Sequence, residues 1–172
     1  MATTSESASS SIHIPDWRRE YKSPFSWAPG KSLLASIRAW QKNRHSPNPL
    51  RRHLLSRLAV LRYRFWSIVT GADIPLTCQI GGGLLIPHPN GIVIHADCSI
   101  GPNCIIFQQV TLGIRNTPVP PRLGANVAIG AGAKILGDIT LHDDVRVGAN
   151  AVVLHDVPAG RSVAGIPARI LD

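Results

Sequence analysis

The sequence predicts a mainly β fold, a parallel β-helix of hexapeptide repeats preceded by a short N-terminal α-helical segment. Three observations support this prediction. Aliphatic residues recur every six positions from residue 74 onward, eight of the nine aromatic residues precede residue 67, and the excess of positive charge is confined to the first 70 residues. Residues 1–70 contain 12 Lys and Arg against 3 Asp and Glu, whereas residues 71–172 contain 6 against 7. The chain therefore divides into a basic, aromatic front and a near-neutral remainder.

The composition allows a folded core and excludes several classes of protein. Hydrophobic residues make up 44% and charged residues 16% of the 172 residues, as in a globular chain. No apolar run approaches the roughly 18 residues that a membrane span needs, and the first residues do not resemble a secretory signal. The three cysteines form no CxxC pair, so we expect neither a metal ribbon nor a disulfide framework and assume a cytoplasmic location.

The front of the chain is predicted to contain a tail and two helices. Residues 1–30 hold no lasting period and several prolines, which predicts a flexible or irregular tail. Residues 31–70 are the predicted α-helical segment, in which apolar residues recur at helical spacing. Its second helix covers about residues 50–70 and ends at Gly71. The apolar stripe of that helix consists of Leu50, Leu54, Leu58, Leu61, Phe65 and Ile68.

Five arginines lie largely off this stripe, at positions Arg51, Arg52, Arg57, Arg62 and Arg64. One interpretation is a solvated face on a helix whose leucines pack against the rest of the protein. Another is peripheral contact of the basic helix 50–70 with an anionic membrane, or contact with a phosphorylated substrate. Nucleic acid is not an expected partner, since no nucleic-acid-binding signature accompanies these residues.

The repeat of six defines the β-helix domain, residues 71–172. A second inward position lies four residues after each main aliphatic residue, so each hexad contains a three-residue strand with two inward side chains. Fourteen hexads, at about 18 residues per turn, give four to five coils with three flat faces. The main series is predicted to continue to Ala159. Residues that tolerate a left-handed backbone mark the predicted corners, at Asn126, Gly132, Asp138, Asp144, Asn150, Asp156 and Ser162.

The three cysteines fall into this pattern. Cys78, Cys98 and Cys104 each occupy the second inward position of a hexad. We therefore predict that they are small core residues. This placement argues against a cysteine nucleophile and an acyl-enzyme intermediate.

The period is interrupted twice, and loops on a rigid scaffold often carry function. Eight residues separate Ile86 from Ile94, and residues 113–122 form a longer loop. The first interruption presents His88 between two prolines, as a candidate general base near neutral pH or as a solvated turn residue. Asp73, 15 residues earlier, would lie on the neighbouring coil and is the candidate partner of the imidazole. We expect no metal, because His88 and His95 have no third imidazole in their region.

Residues 71–169 resemble the serine acetyltransferases of the hexapeptide-repeat acyltransferase family. The resemblance is specific because its motifs occur in order and in phase with the repeat. They are Gly71-Ala72-Asp73, His88 followed by Gly91-Ile92-Val93-Ile94, Val110-Thr111-Leu112-Gly113, the segment 129–137, and Ala164-Gly165-Ile166-Pro167-Ala168-Arg169.

This resemblance implies a left-handed β-helix, a homotrimer with active sites between neighbouring chains, and acetyl-CoA as the acetyl donor. His88 matches the catalytic base of the family and Asp73 its aspartate partner. The residues implied in CoA binding are Gly113, Ala131, Arg146, Ala149 and Arg169. L-serine, acetylated to O-acetylserine, is the family's default acceptor, and we take Asn90, Gln108 and Arg115 as candidates for acceptor binding.

The chain departs from the family pattern at the acceptor site. Members that bind serine carry an aspartate before the histidine, where Pro87 stands here, and an Arg-His pair where Val119 and Pro120 stand. Arg115 or Arg122 could replace those charges. A saccharide O-acetyltransferase of exopolysaccharide synthesis is therefore the alternative function.

The chain ends at Asp172 without the family's docking tail, so we expect no complex with cysteine synthase. A catalytically silent trimeric scaffold and a carbonic-anhydrase-like metal site are weaker alternatives.

Overall fold

A computed structural model describes residues 12–23 and 25–171, and in it the chain winds into a parallel β-helix with three sheets. The first sheet contains β1 (Gln79–Ile80), β3 (Ser99–Ile100), β6 (Arg122–Leu123) and β9 (Thr140–Leu141). The second contains β2 (Val93–Ile94), β5 (Thr111–Gly113), β8 (Lys134–Leu136) and β11 (Val152–Val153). The third contains β4 (Ile105–Ile106), β7 (Ala128–Ile129), β10 (Arg146–Val147) and β12 (Ser162–Gly165), and ends with β13 (Ala168–Leu171) antiparallel to β12.

The strand pairing confirms the predicted coil length. Lys134 pairs with Val152 and Ala128 with Arg146, in each case 18 positions apart. The separation rises to 20 across the His88 corner, where Gln79 pairs with Ser99. It rises to 23 across the long loop, where Ser99 pairs with Arg122. Both interruptions are therefore extruded from the coils while the ladder of parallel strands continues past them.

The last coil departs from the predicted phase. Val157 pairs with Leu141, only 16 positions earlier, and is buried. Ala159, predicted to continue the inward series, is exposed, so that prediction is wrong. The coil omits two residues at this point, and Val163 then pairs with Val147. Val157, rather than the smaller Ala159, therefore fills the inward position above Leu141.

The corners use left-handed backbone at some of the predicted positions. Asn126, Gly132, Asp144 and Asn150 have positive φ, between 56° and 74°. Asp138, Asp156 and Ser162 do not, and the glycine Gly137 takes the positive φ beside Asp138. Asparagine, aspartate and glycine pay the smallest steric cost in this conformation, which explains their recurrence.

The core is a single column of small and medium aliphatic side chains. Strand after strand has one fully buried residue, such as Ile106, Leu112, Ile129 and Ile135 at 0% exposure. The cross-section accommodates valine, isoleucine, leucine, alanine and cysteine, and none of its buried residues is aromatic among those described. The aromatic residues consequently lie in the helical front, apart from the half-buried Phe107.

Two helices cover the first coil. Helix α1 (Pro29–Arg44) buries Leu33, Leu34 and Ile37 in continuity with the coil core. Gly30 in its first turn lies so close to the coil that a Cβ would come within 2.5 Å of the Ile86 carbonyl oxygen. The chain then forms a π-helical turn over Arg51–Leu55 and helix α2 (Ser56–Thr70), which is capped by Gly71 with φ of 61°. The segment predicted as helical over 31–70 thus contains two helices that begin at Pro29.

The apolar stripe of α2 faces away from the protein. The six residues of the predicted stripe, four of them in α2 and two before it, are all more than half exposed, whereas Ala59 and Thr70 are buried on the opposite side of the helix. The interpretation in which these leucines pack against the rest of the chain is therefore wrong for the single chain. No helix in the described ranges is long and apolar enough to cross a bilayer.

The described residues of the N-terminal segment are irregular but attached to the coils. The Glu20 carboxylate accepts hydrogen bonds from the Gly83 and Leu84 backbone and pairs with Arg38 at 2.9 Å. The Asn103 side chain accepts from the Asp16 backbone N–H and donates to the Ile14 carbonyl. Residues 1–11 and 24 of the predicted tail lie outside the described residues.

Two neighbouring isoleucines in β4 test the inward–outward alternation. Ile106→Ala is expected to lower the free energy of unfolding by about 2–5 kcal/mol, because the rigid column cannot close the cavity. Ile105→Ala, at the half-buried outward position, serves as the matched control and should cost roughly 1 kcal/mol or less. Urea denaturation followed by circular dichroism measures both values, and equal losses would contradict the alternation.

Candidate active site

One edge of the prism consists of four stacked corners joined by backbone hydrogen bonds. The N–H of Gln109 donates to the Asn90 carbonyl at 2.9 Å, that of Gly132 to Gln108 at 2.8 Å, and that of Asn150 to Ala131 at 2.8 Å. We call this the stacked edge, residues 87–91, 107–109, 130–132 and 148–150. It lies between the third and the second sheet, and it aligns five predicted site residues, which are His88, Asn90, Gln108, Ala131 and Ala149.

His88 projects from the first corner of the stacked edge. Pro87, His88 and Asn90 are exposed, whereas Pro89 is buried and its carbonyl accepts from the Ile92 N–H at 3.2 Å. The chain reverses at Gly91, which has φ of 68° and donates to the Gly71 carbonyl at 2.9 Å. Within the described residues the imidazole of His88 makes no hydrogen bond or ion pair. The corner thus presents a histidine whose ring nitrogens are available to a ligand.

Asp73 is held on the neighbouring coil, as its sequence separation from His88 predicted. Its N–H donates to the Ile92 carbonyl at 2.8 Å, and its carbonyl accepts from the Ile94 N–H at 2.9 Å. These bonds attach Asp73 to the strand that follows the His88 corner. No hydrogen bond or ion pair joins the Asp73 and His88 side chains in the described part of the chain. The role of Asp73 as imidazole partner stays a prediction.

Tyr63 belongs to the surroundings of Asp73 but was not among the sequence candidates. Burial, and secondarily the negative charge of Asp73, raise the pKa of the Tyr63 phenol above its ordinary value. Helix α2 carries Tyr63 and ends at Thr70, three residues before Asp73, and this closeness in the sequence is the only signal that could have linked the two residues. The neutral phenol remains a hydrogen-bond donor at the edge of the candidate site.

A groove of about 490 Å³ joins Asp73 to Gly113 on the second sheet, and its lining includes His95, Thr111 and Leu136. His95 and Thr111 were not predicted as site residues, although the outward position of Thr111 on β5 and that of His95 directly after β2 could have indicated it. The Asp97 N–H donates to His95 Nδ1 at 3.3 Å, and among the described residues Nε2 has no hydrogen-bond partner. The structure therefore brings two predicted residues, Asp73 and Gly113, into one groove.

Four of the five residues predicted to bind CoA lie on the later coils, and two of them, Ala131 and Ala149, are part of the stacked edge. The corners of Ala131 and Ala149 are so close that a Cβ on Gly130 would lie 2.6 Å from the Ala149 nitrogen. Arg146 pairs with Ser162 across the ladder, and Arg169 lies opposite Ala164. Both arginines are exposed on the outer face of the third sheet. Gly113 lies apart from them, at the far end of β5 in the second sheet.

The two arginines of the long loop that were considered for acceptor binding differ in their surroundings. Arg122 forms an ion pair with Asp138 at 2.7 Å between Nη2 and Oδ1. Arg115 is exposed, and within the described residues its guanidinium has no hydrogen-bond or ion-pair partner. Its backbone carbonyl accepts from the Thr117 N–H at 2.7 Å, which forms a tight turn. Of the two, Arg115 is the one available to a ligand.

The cysteines are core residues, as the repeat predicted. Cys78, Cys98 and Cys104 are all fully buried. Burial raises the pKa of Cys78 to about 12 and those of Cys98 and Cys104 to about 11. Thiols that stay protonated inside the coil are poor nucleophiles. Among the described residues, no three His, Cys, Asp or Glu side chains are grouped as metal ligands.

Comparisons with known proteins give one consistent group of relatives. Residues 120–155 match the family model for bacterial transferase hexapeptide (six repeats). A serine acetyltransferase of Staphylococcus xylosus is 44% identical over 124 residues, 70% of this chain and 56% of that protein. A serine acetyltransferase of Helicobacter pylori is 40% identical over 130 residues, 74% of each chain. The chain spans about half the length of the first of these relatives.

Solved structures agree with this result. A serine acetyltransferase in complex with CoA superposes with a TM-score of 0.63 at 34% identity, over 83% of this chain and 55% of the other. A soybean serine acetyltransferase complexed with serine gives 0.61 at 30% identity, over 81% and 70%. These matches confirm the predicted left-handed winding of the parallel β-helix, an exception to the usual handedness of parallel β connections.

Thiol accessibility tests the assignment of the cysteines. The native protein should show almost no reaction with Ellman's reagent near pH 8, because its three thiols are buried and hold raised pKa values. The same protein in denaturant should react at all three. Rapid reaction of one thiol in the native state would contradict a purely structural role.

Proposed function

The chain belongs to the serine acetyltransferase family, and from this premise we propose that it is an acetyl-CoA-dependent O-acetyltransferase that converts L-serine to O-acetylserine. The stacked edge is the observation that carries the proposal. It aligns an exposed histidine, polar residues and close-packed alanine corners along one line on a rigid scaffold. Relatives with CoA and with serine bound support the choice of donor and acceptor.

His88 acts as the general base in this proposal. Its unpaired imidazole takes the proton from the serine hydroxyl while the serine oxygen attacks the thioester carbonyl of acetyl-CoA. Backbone N–H groups near the corner stabilise the oxyanion. The C–S bond then breaks, and His88 returns the proton to the departing thiolate. The reaction needs no covalent enzyme intermediate, in keeping with the three buried thiols.

Asp73 serves as the partner that orients His88 and stabilises its protonated ring. A carboxylate on the adjacent coil is suited to this role because the backbone ladder holds it close to the His88 corner. The two side chains make no hydrogen bond to each other in this structure, which contains no substrate. Catalytic hydrogen bonds are often long in unliganded sites and shorten when the substrate binds.

CoA lies along the outside of the coils in this proposal. The flat corners of Ala131 and Ala149 allow the pantetheine chain to approach the backbone, while Gly113 bounds the groove near the thioester. Arg146 and Arg169 are exposed and bind the phosphates. No residue of this set requires a metal.

The acceptor is held by Arg115, Asn90 and Gln108. Arg115 has the exposed guanidinium needed for a carboxylate, and Asn90 stands two residues from His88. The relatives give no support to the saccharide alternative, although Pro87, Val119 and Pro120 replace charged residues of the family pattern.

The proposal further includes a homotrimer with sites shared between chains and a cytoplasmic location.

Replacement of His88 tests the reaction. His88→Ala should lower kcat by about 100- to 10,000-fold, the usual contribution of a general base. His142→Ala, an exposed histidine on a later coil, is the matched control and should keep full activity. Release of CoA thiol measures turnover, and light scattering should give three times the 18.5 kDa chain mass for every variant. Equal activity of wild type and His88→Ala would refute the assignment.

An acceptor panel tests the substrate. Thiol release from acetyl-CoA should saturate with L-serine and be far slower with free sugars and sugar nucleotides. Arg115→Gln should raise the KM for serine at least about tenfold, since a charge-assisted hydrogen bond to the carboxylate is lost. Turnover with a saccharide in place of serine would establish the alternative function.

A further inference from the structure

Helix α2 and the preceding turn have an apolar face that the proposed reaction does not use. Leu54, Leu58, Leu61, Phe65 and Ile68 follow one another at three or four positions and are 52–82% exposed. Burying apolar surface contributes about 25 cal/mol per Å². A continuous exposed stripe of this size therefore indicates a contact surface.

Arginines border the stripe on both sides. Arg57 and Arg64 are seven positions apart and lie along one border, and Arg62 lies along the other. Within the described residues, the guanidinium groups of all five arginines of this segment make no hydrogen bond or ion pair. The sequence contains ten Lys and Arg and no Asp or Glu between Glu20 and Asp73. This surface is therefore strongly and uniformly positive.

A groove between α1 and α2 concentrates this charge. Its volume is about 450 Å³, and Trp40, Arg52, His53, Arg57 and Arg64 are among the residues that line it. Arg44 stacks on the Trp40 ring, with 4.7 Å between the guanidinium carbon and the ring centroid. Several guanidinium groups around a space without a carboxylate suit a phosphate group.

We propose that α2 docks the protein on the surface of a bilayer that contains anionic lipid. The stripe inserts between the acyl chains, and the bordering arginines, with the groove beside them, bind lipid phosphates. A second copy of this chain is a poorer occupant of the face. In any contact between the helical faces of two copies, within the proposed trimer or between trimers, two arginine-rich borders would oppose each other without any acidic partner between residues 21 and 72.

Vesicle sedimentation tests the proposal on the full chain. The protein should sediment with vesicles of phosphatidylcholine and phosphatidylglycerol at least about tenfold more than with phosphatidylcholine alone, because each basic residue near an anionic surface contributes about 1 kcal/mol. Raising the salt to 1 M should weaken this binding, since the screening length falls to about 3 Å.

Three double variants separate the contributions. Leu61→Gln with Phe65→Gln removes the apolar anchor and should abolish sedimentation in low salt. Arg57→Gln with Arg64→Gln should weaken binding about 10- to 30-fold. Arg18→Gln with Arg161→Gln removes the same charge from exposed positions outside the helix, and this matched control should bind like wild type. All three should retain serine acetylation, so loss of docking is distinguishable from loss of the proposed reaction.

Two results would overturn the proposal. Unchanged sedimentation of the Leu61/Phe65 variant would show that the stripe does not contact lipid. A lower solution mass for that variant than for wild type, measured by light scattering without vesicles, would show that a second copy covers the stripe. Circular dichroism and thermal melting confirm that each variant is folded.

Discussion

Backbone hydrogen bonding between successive coils is the constraint on which the rest of this structure depends. Each strand is only two to four residues long and pairs with strands about 18 positions away. Such short strands have no stability of their own, so they persist only because every level supports the next. The repeat of six keeps one aliphatic side chain per strand in the shared core. At the His88 corner and the long loop the additional residues protrude from the coils, at Val157 the coil is two residues shorter, and in each case the strand pairing continues beyond the irregularity.

That rigidity is what makes the candidate site. The corners bearing His88, Gln108, Ala131 and Ala149 are far apart in the sequence, yet backbone hydrogen bonds stack them along one edge. The proposed base, two of the residues proposed to bind the acceptor and the alanine corners proposed to face CoA therefore lie along one line on a rigid scaffold. The core contributes indirectly as well, because burial keeps its three thiols protonated and so removes a competing nucleophile.

The helical front is held by side-chain packing and side-chain hydrogen bonds rather than by a ladder of parallel strands. Helix α1 completes the apolar column at its open end through Leu33, Leu34 and Ile37, and Arg38 and Gln41 satisfy carbonyls of the first coil. Helix α2 rests on α1 through its small and half-buried residues and directs its large apolar side chains outward. The excess positive charge of the chain thus lies in the helical front, whereas the proposed acyl-transfer site lies on the near-neutral coils.

The sequence alone determined the β-helix, its coil length, the burial of the cysteines and the two extruded loops, because a strict repeat translates directly into which side chains share an interior. The resemblance in motifs added the handedness and the candidate base. Only the tertiary structure decided which surface the helix stripe faces and which side chains of different coils meet, because a repeat in the sequence does not contain this information. The stripe of α2 has the same helical spacing whether it faces a core or solvent, and only the packing of Ala59 and Tyr63 settles which. The pairing of Arg122 with Asp138, the groove joining Asp73 to His95 and Gly113, and the shift from Ala159 to Val157 likewise depend on which coils and side chains come to lie side by side.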